Sequence, residues 1–417
     1  MSNLYSKNIY KLLYYFYPLL CILCVFQLRG IIHPYYPATG VFSWPFRLLI
    51  IFLGGKAFLA YYKKSSLISA FFLYSVFTVV CYLFNDRPFS LYFIELISYV
   101  TPMLFAFIAL DNNDFSNKFY KYFLYAIIVC FVFGFYLHFI RPEWYKTALT
   151  ATYNDRWYTN TNYDYESVAN QFRYSSIFIT SYAVSHFSMF ALPISIAYLI
   201  RENKTRYMIF AAISLIAAII CLHRVAIVSC LLILFLYIFY DSRHAGKLKS
   251  LTFLVIAIVI LAIVYLSTSD LFSQVLERFD QINISDAFDE SRTSQNKNVF
   301  NIWQNYILGD GIGAVSADAR KIGYSGITDG NYMKILVEEG VIGFLLYTTL
   351  IAKTLLRGWR FFKYLSIEFS IVLSISIAMI GSNSLVMPFY ILPYWYAIGR
   401  IWNKDYLNHL FETNNHI

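Results

Sequence analysis

Charged residues are scarce in this sequence. Asp, Glu, Lys and Arg make up only 14% of its 417 residues, whereas 59% are hydrophobic and the mean hydropathy is +0.54. A soluble globular domain carries about 25% charged residues, so this composition excludes that class. It predicts instead an all-α polytopic membrane protein, whose helices place apolar side chains in lipid.

Cysteine is also sparse, and basic residues form no long cluster. The six cysteines all lie in apolar segments, which excludes disulfides in the long loops, and Cys21 and Cys24 have CxxC spacing without nearby His or acidic partners. Neither a metal site nor a cofactor is therefore expected. The net charge of +9 is spread over short loops rather than gathered in a domain, which argues against a nucleic-acid partner.

Long apolar runs are abundant. A bilayer-spanning helix needs about 20 predominantly apolar residues, fewer where Lys, Arg or aromatic residues flank it. Twelve segments meet this requirement: 9–28, 44–62, 67–84, 89–110, 119–140, 173–200, 207–222, 225–240, 250–267, 341–357, 364–381 and 384–402. The first follows Lys7 and Lys11 and lacks a small-residue cleavage site, so we interpret it as a retained helix and residues 1–417 as a single integral membrane domain.

Positive charge marks every second connection between these segments. Basic loops, such as the one with Lys63 and Lys64, alternate with loops that are not enriched in Lys and Arg. By the positive-inside rule, the basic loops and both termini are predicted to be cytoplasmic. The two long connections, 141–172 and 268–331, are then predicted to lie on the outer side of the membrane.

Segments 207–222 and 225–240 are separated only by His223 and Arg224. A single helix over both segments would be about 50 Å long at 1.5 Å per residue, which exceeds one bilayer. A hairpin is therefore predicted, with Arg224 at or just below the outer interface. An arginine at the centre of a membrane helix costs about 2.5 to 3.5 kcal/mol, and less near an interface, so Arg224 needs a functional reason.

Arg173 and Arg292 are further outer arginines beside helices or motifs. Arginine binds phosphate through paired N–H donors, so several arginines on one outer cavity would suit a pyrophosphate, although solvated loop charge is the alternative. Arg173 is predicted to open the helix 173–200, whose polar residues form two lines: Arg173, Ser176 and Thr180, and Ser175, Tyr182 and His186. Such lines face a bundle interior or a water-filled cavity, although an interhelical hydrogen bond also explains His186.

Residues 291–347 form a polar, glycine-punctuated stretch that runs into an apolar segment. Gly309, Gly311 and Gly313 form a GxGxG pattern that no predicted strand precedes. This excludes a nucleotide-binding fold and predicts a tight turn near the membrane.

A helical pattern follows within this stretch. Asp329 precedes it and is interpreted either as a helix N-cap or as a functional acid. Asn331 and Glu338 are seven residues apart and share one face of the helix. Gly340 and Gly343 are expected to break and reopen that helix at the membrane.

Three blocks of the sequence, in order, resemble the motifs of the bacterial O-antigen polymerase and O-antigen ligase superfamily. They are CLHRVAIVSCLLIL, SRTSQNKNVFNIWQNYILGDGIG and DGNYMKILVEEGVIGFLLY. In that family one arginine opens a transmembrane helix, and a second precedes a tryptophan and a glycine-rich segment. A polar residue then precedes a tyrosine and an E-x-G motif. The order of helices and enlarged outer loops is similar too.

The resemblance implies a GT-C-like fold of about 12 transmembrane helices. It also implies a glycosyltransferase at the outer face of the bacterial cytoplasmic (inner) membrane. The donor would be a polyprenyl-pyrophosphate-linked oligosaccharide, with the lipid bilayer and a chain-length regulator as further partners. The ligase branch carries a histidine before the tyrosine-containing helix, whereas this chain has Asp329 there and no histidine between His244 and His409. This difference favours a polymerase.

Residue roles follow from the resemblance and from the chemistry. Transfer from a polyprenyl pyrophosphate needs charge neutralisation at the diphosphate and a base for the acceptor hydroxyl. Arg173, Arg224 and Arg292 are expected to bind the diphosphate, with Asp329 as the first candidate base and Glu338 as the second. Supporting roles are assigned to His186, His223, Asn331, Gly311 and Gly313. His223 is a departure, because the family usually has serine before the hairpin arginine.

Three alternative functions remain: an O-antigen ligase, a flippase or transporter of lipid-linked oligosaccharide, and a structural membrane protein. A flippase is expected to show internal repeats and a charge-lined route on both sides of the membrane. The sequence shows no repeat, and its polar residues are concentrated on the predicted outer side.

Overall fold

The computed structural model describes residues 44–62, 65–85, 88–111, 117–148, 150, 174–178, 181–221, 223–240, 303–315, 330–382, 385 and 390–415. These residues form helices and turns, with no β-strand among them. The predicted segments 9–28 and 250–267 lie outside the described residues, as do Arg173, Arg292 and Asp329.

The helices follow the apolar runs of the sequence. They are α1 (Trp44–Tyr61), α2 (Ser66–Leu83), α3 (Phe89–Asp111), α4 (Lys118–Ile140), α5 (Ser181–Glu202), α6 (Thr205–Ile220), α7 (Arg224–Tyr240), α8 (Asn331–Arg360), α9 (Phe362–Gly381), α10 (Leu392–Trp402) and α11 (Lys404–Asn415). The predicted hairpin is confirmed, because α6 and α7 are separate helices that pack against each other.

Five of these helices, α2, α4, α5, α8 and α9, are long and apolar enough to cross a membrane. Large apolar side chains on their outer surfaces are exposed, such as Phe72 on α2 and Val129 on α4. Water disfavours such a surface, whereas lipid accommodates it. The chain is therefore a multi-pass α-helical membrane protein.

Helix α5 lies at the centre of the bundle. Every residue from 183 to 199 is buried, and α5 packs against α4, α6, α7 and α9. A helix that is buried on all sides needs no polar face, so its apolar residues are distributed around the whole helix instead of along one side. Helix α9 contacts α5, α7, α8 and α10, so it links the centre of the bundle to the helices on the other side.

Small residues bring helices into close contact elsewhere. A side chain at Gly399 of α10 would collide with the backbone of Ala106 on α3, and one at Gly54 of α1 would collide with Leu104. Membrane helices often associate through close contact at small residues, because the hydrophobic effect does not drive helices together within lipid.

Two predicted segments differ from the structure. Helix α5 begins at Ser181, so Ser175 and Ser176 do not lie on the same helix as Tyr182 and His186, contrary to the prediction for 173–200. Residues 174–178 contain a 3-10 turn, Ser176–Phe178, in which Ser176 Oγ donates to the carbonyl oxygen of Cys130 on α4 at 2.7 Å. Within the segment 384–402, the described residues include the 11-residue helix α10, which at 1.5 Å per residue is about 16 Å long and by itself shorter than a bilayer-spanning helix.

The bundle has two distinguishable ends. At the end called here the loop end, α2 finishes, α7 and α8 begin, and Asn85 Nδ2 donates to the Gly309 carbonyl oxygen at 3.0 Å. At the opposite end, α4 begins, α8 and α10 finish, and Arg400 Nη2 donates to Asn117 Oδ1 at 2.8 Å.

Candidate functional site

Helix α8 is broken at Gly340, as the sequence predicts. Gly340 has φ +66 and ψ −171, a backbone conformation that is essentially restricted to glycine. Residues 331–339 form the first part of the helix and residues 341–360 the second. At 1.5 Å per residue the second part is about 30 Å long, enough to span a bilayer. Gly343 lies inside this second part.

The loop 303–315 supplies the hydrogen bonds that α8 lacks at the break. In a continuous helix, the N–H groups of Val341 and Ile342 would bond to the carbonyls of residues 337 and 338. Here those N–H groups donate to the carbonyl oxygens of Tyr306 and Ile307, at 3.0 and 3.4 Å.

The two carbonyls on the other side of the break are also satisfied by the loop. The N–H of Asp310 donates to Val337 O at 2.8 Å, and the N–H of Gly311 donates to Glu338 O at 2.9 Å. These four backbone groups at the break thus each find a partner in the loop, as buried backbone requires.

The GxGxG pattern forms the predicted tight turn. Gly309, Gly311 and Gly313 have φ values of 77, 90 and 93, a region in which residues with a side chain are strained. A side chain at Gly309 would also collide with the backbone of Glu338. The turn therefore needs glycine both for its conformation and for its contact with α8.

Asp310, between the glycines, has a structural role that the sequence did not suggest. Its Oδ1 accepts the N–H groups of Gln304 at 3.0 Å and Asn305 at 2.9 Å. Trp303 and Val315, at the two ends of the loop, pack against Val337 of α8. The loop is thus anchored on the helix at both ends and in the middle.

Glu338 is buried beside this turn. Its Oε1 accepts the N–H of Val315 at 3.2 Å and lies 3.7 Å from Lys334 Nζ, one helical turn earlier. Both side chains are 1% exposed. Buried charges are stable when they are paired and hydrogen-bonded, so Glu338 is held in place by the loop and by Lys334.

Glu339 is buried on a different side of α8. The hydroxyl of Tyr74 on α2 donates to its Oε1 at 2.5 Å. Its Oε2 has no hydrogen-bond partner in the part of the chain that the structure describes. Glu339 and Tyr74 are not among the site residues that the sequence motifs indicate, because nothing in the sequence connects two residues 265 positions apart.

Asn331 joins the start of α8 to the segment after α9. Its N–H donates to Ser382 O at 3.2 Å, and its Oδ1 accepts the N–H of Leu385 at 2.7 Å. The helix cap is Gly330 rather than Asp329, and a side chain at Gly330 would collide with the carbonyl of Ile380. Asn331 and Glu338, which are predicted to share one face of this helix, are both buried.

Arg224 is the first residue of α7 and is exposed at the loop end. His223, just before it, contacts the ring of Tyr182 with 5.8 Å between ring centroids. His186 is buried one turn further along α5, where its Nδ1 lies 2.8 Å from the carbonyl oxygen of Tyr182. Tyr182 therefore contacts both His186 and His223. Separately, helices α7 and α8 each pack against α9.

A second buried charged cluster lies at the opposite end. Arg400 Nε is 3.9 Å from Glu368 Oε1, and both side chains are at most 1% exposed. Burial raises the pKa of Tyr406, and the hydroxyl of this residue donates to Asn117 Oδ1 at 3.1 Å. This cluster could not be predicted, because its residues belong to no motif and are brought together only by the packing of separate helices.

The described residues thus bring together two acidic side chains, a lysine and a glycine turn at the loop end, with Arg224 at the same end. Within this part of the chain, no group of three or more His, Cys, Asp or Glu side chains is arranged to hold a metal ion. No protein-family model matches the chain, and no curated protein is significantly similar to it.

Proposed function

We propose that this protein is a glycosyltransferase that polymerises lipid-linked saccharide units at the outer face of the bacterial inner membrane. The donor is a polyprenyl-pyrophosphate-linked oligosaccharide, and the acceptor is a second lipid-linked repeat unit. The observation that carries the proposal is the break at Gly340, which holds the carboxyl groups of Glu338 and Glu339 at the loop end of the bundle.

In the proposed reaction the protein needs to form no covalent bond with the substrate. A polyprenyl pyrophosphate already contains a good leaving group, so catalysis consists of neutralising the diphosphate, orienting the acceptor and accepting its proton. Arg224 is proposed to bind the diphosphate, and its exposed position at the loop end suits contact with a ligand. Arg173 and Arg292 are proposed to join it.

Asp329 and Glu338 are the proposed acid–base residues from the sequence. Asp329 lies next to Gly330, the N-cap of α8, and stays a prediction. Glu338 is already engaged by Val315 N–H and by Lys334, so a role for it in proton transfer would require these contacts to change. In this proposal the loop end faces the outside of the cell, both termini are cytoplasmic, and a chain-length regulator is a partner.

A ligase that moves glycan to a different acceptor is the nearest alternative, and the absence of a histidine between His244 and His409 disfavours it. The Glu368–Arg400 pair favours a second candidate function, a flippase for lipid-linked oligosaccharide. Such a protein needs polar groups on both sides of the membrane, and this pair supplies buried charge at the opposite end.

A gel profile of surface polysaccharide from a deletion strain tests the proposal. Deletion of a polymerase removes long chains while single repeat units still reach their acceptor. Loss of the single-unit product as well would identify a flippase, and an unchanged ladder would exclude both. Complementation with Arg224→Ala should reproduce the deletion profile, whereas Arg206→Ala, an exposed arginine at the opposite end, should restore long chains.

A further inference from the structure

We infer that Glu339, oriented by Tyr74, is the residue that accepts the proton of the acceptor hydroxyl. This inference rests on the proposed glycosyl transfer and names a residue that the sequence motifs did not select. It follows from three observations: the carboxyl is buried, one of its oxygens is held in place, and the residue lines a pocket.

The hydrogen bond from Tyr74 fixes the orientation of the Glu339 carboxyl. The tyrosine hydroxyl donates to Oε1 at 2.5 Å, while Oε2 makes no hydrogen bond with any described residue. Glu339 is 1% exposed, so bulk water does not reach Oε2. A buried polar atom without a partner is rare and destabilising, which makes it a candidate for a functional role.

Glu339 lines a narrow pocket between α2, α3, α8 and the glycine turn. The other residues that line this pocket are Tyr74, Ser75, Thr78, Leu96, Met103 and Ile312. Its walls are mostly apolar, with Glu339 as the acidic group. The pocket is too narrow for a sugar ring, so a water molecule is the group that can approach the carboxyl there.

Because Gly343 has no side chain, it leaves the space that the Glu339 carboxyl occupies. A side chain at this position would collide with Cβ of Glu339 and approach its Oε2 to 2.8 Å. The break at Gly340, the small residue at 343 and the tyrosine of α2 together shape the environment of this one side chain.

Glu338 is the matched comparison on the same helix. Its Oε1 is engaged by a backbone N–H of the loop and faces Lys334, a contact set that suits a structural role. The Oε1 of Glu339 accepts the neutral hydroxyl of Tyr74, whereas the Lys334 ammonium lies against Glu338. A salt bridge to lysine lowers the proton affinity of a carboxyl, so Glu339 is the better proton acceptor of the two.

The proposed step is balanced in atoms and charge. The acceptor hydroxyl oxygen forms a bond to the anomeric carbon of the donor sugar. The bond between that carbon and the pyrophosphate oxygen breaks, and its electron pair leaves with the polyprenyl pyrophosphate. The hydroxyl proton passes through one water molecule to Glu339 Oε2, and the carboxyl later releases it through the same water molecule.

The test measures polymer formation by purified protein in detergent with a synthetic lipid-linked repeat unit. Glu339→Gln should lower the turnover number by at least about 100-fold, the lower range for loss of a general base, with little change in KM. Glu339→Asp should restore part of the rate. Tyr74→Phe, which keeps the ring and removes one hydroxyl, should give an intermediate loss.

Wild-type protein and Glu338→Gln make the outcomes distinguishable. If wild-type protein forms no polymer, the proposed function fails. If it does so and Glu339→Gln retains turnover within tenfold of wild type, only the inference about Glu339 fails. A larger loss in Glu338→Gln than in Glu339→Gln, with both variants folded, also overturns the inference.

Chemical modification gives a second readout that needs no activity. Dicyclohexylcarbodiimide is apolar and reacts with protonated carboxyl groups, so it should label Glu339 in preference to Glu338, as mapped by peptide mass spectrometry. Labelling of wild-type protein should abolish polymer formation, and Tyr74→Phe should still be labelled. Absence of label at Glu339 under conditions that label Glu338 would contradict a proton-exchanging carboxyl in this pocket.

Discussion

The N–H of Gly311 donates to the carbonyl oxygen of Glu338 at 2.9 Å, which is the bond that the N–H of Ile342 would make in a continuous helix. The glycine turn and the break in α8 therefore depend on each other. The turn has a partner only because the helix is broken, and the break is satisfied only because the turn is present. Glu338 and Glu339 lie at this junction, so their orientation depends on it.

Replacing Gly340 with alanine should destabilise the protein. The conformation at φ +66 and ψ −171 strains any residue with a side chain by about 1 to 3 kcal/mol, and a methyl group here would also collide with the Ile307 carbonyl. Thermal unfolding of the purified protein in detergent should show a lower Tm for Gly340→Ala, together with loss of long polysaccharide in complemented cells.

Gly55→Ala is the control for this prediction. Gly55 lies within α1, and a methyl group there would meet no atom within 4 Å. Alanine favours a helix over glycine by about 1 kcal/mol, so Gly55→Ala should keep or raise the Tm. Equal Tm values for Gly340→Ala and wild type would show that the break is not needed for stability.

The buried pair of Lys334 and Glu338 should behave as a unit. Removing one partner of a buried ion pair costs about 3 to 5 kcal/mol because the other charge is left uncompensated. Lys334→Met and Glu338→Gln should each lower the free energy of unfolding, and the double variant should lose less than the sum of the two. Strict additivity in this double-mutant cycle would show that the 3.7 Å contact contributes nothing to stability.

Much of the fold could be predicted because each membrane helix corresponds to a local apolar run in the sequence. The hairpin around Arg224 and the break at Gly340 were predicted for the same reason: each depends on a few neighbouring residues. The start of α5 was predicted wrongly, because the polar spacing from 173 to 180 resembles a helix. Instead, Tyr174 and Ser176 donate to the carbonyls of Phe131 and Cys130 on α4.

The contacts that matter most in the candidate site could not be predicted, because they join distant parts of the chain. Glu339 is adjacent to the motif glutamate, but only the position of α2 shows that Tyr74 reaches it. The sequence predicts that polar residues are concentrated on the outer side of the membrane, but the structure also has buried charged residues at the opposite end of the bundle. Glu368 and Arg400 are single charges in apolar helices, and their pairing depends on how α9 and α10 pack.

Replacing Arg400 with methionine should destabilise the opposite end of the bundle. Arg400 lies close to Glu368, donates to Asn117 and stacks over the ring of Tyr406, so its loss leaves Glu368 buried without its cation. The expected loss is about 3 to 5 kcal/mol. Tm measurements should show recovery in the Arg400→Met, Glu368→Gln double variant.

Arg360→Ala provides the control at this end, because Arg360, the last residue of α8, is exposed. Its replacement should change the free energy of unfolding by no more than about 0.5 kcal/mol. A Tm loss as large as that of Arg400→Met would mean that the opposite end tolerates no change of charge, rather than that the buried pair is special.

Replacing Arg224 should separate ligand binding from stability. Arg224 is exposed at the start of α7, so Arg224→Ala should alter the free energy of unfolding by no more than about 0.5 kcal/mol. Arg224→Lys keeps the charge but loses the paired donors that match a phosphate, so it should retain only part of the polymerising activity. The measurement is Tm together with polymer yield for wild type, Arg224→Ala and Arg224→Lys. Full activity in Arg224→Ala would remove this residue from the diphosphate site, whereas a graded loss at constant Tm is the result that a direct phosphate contact requires.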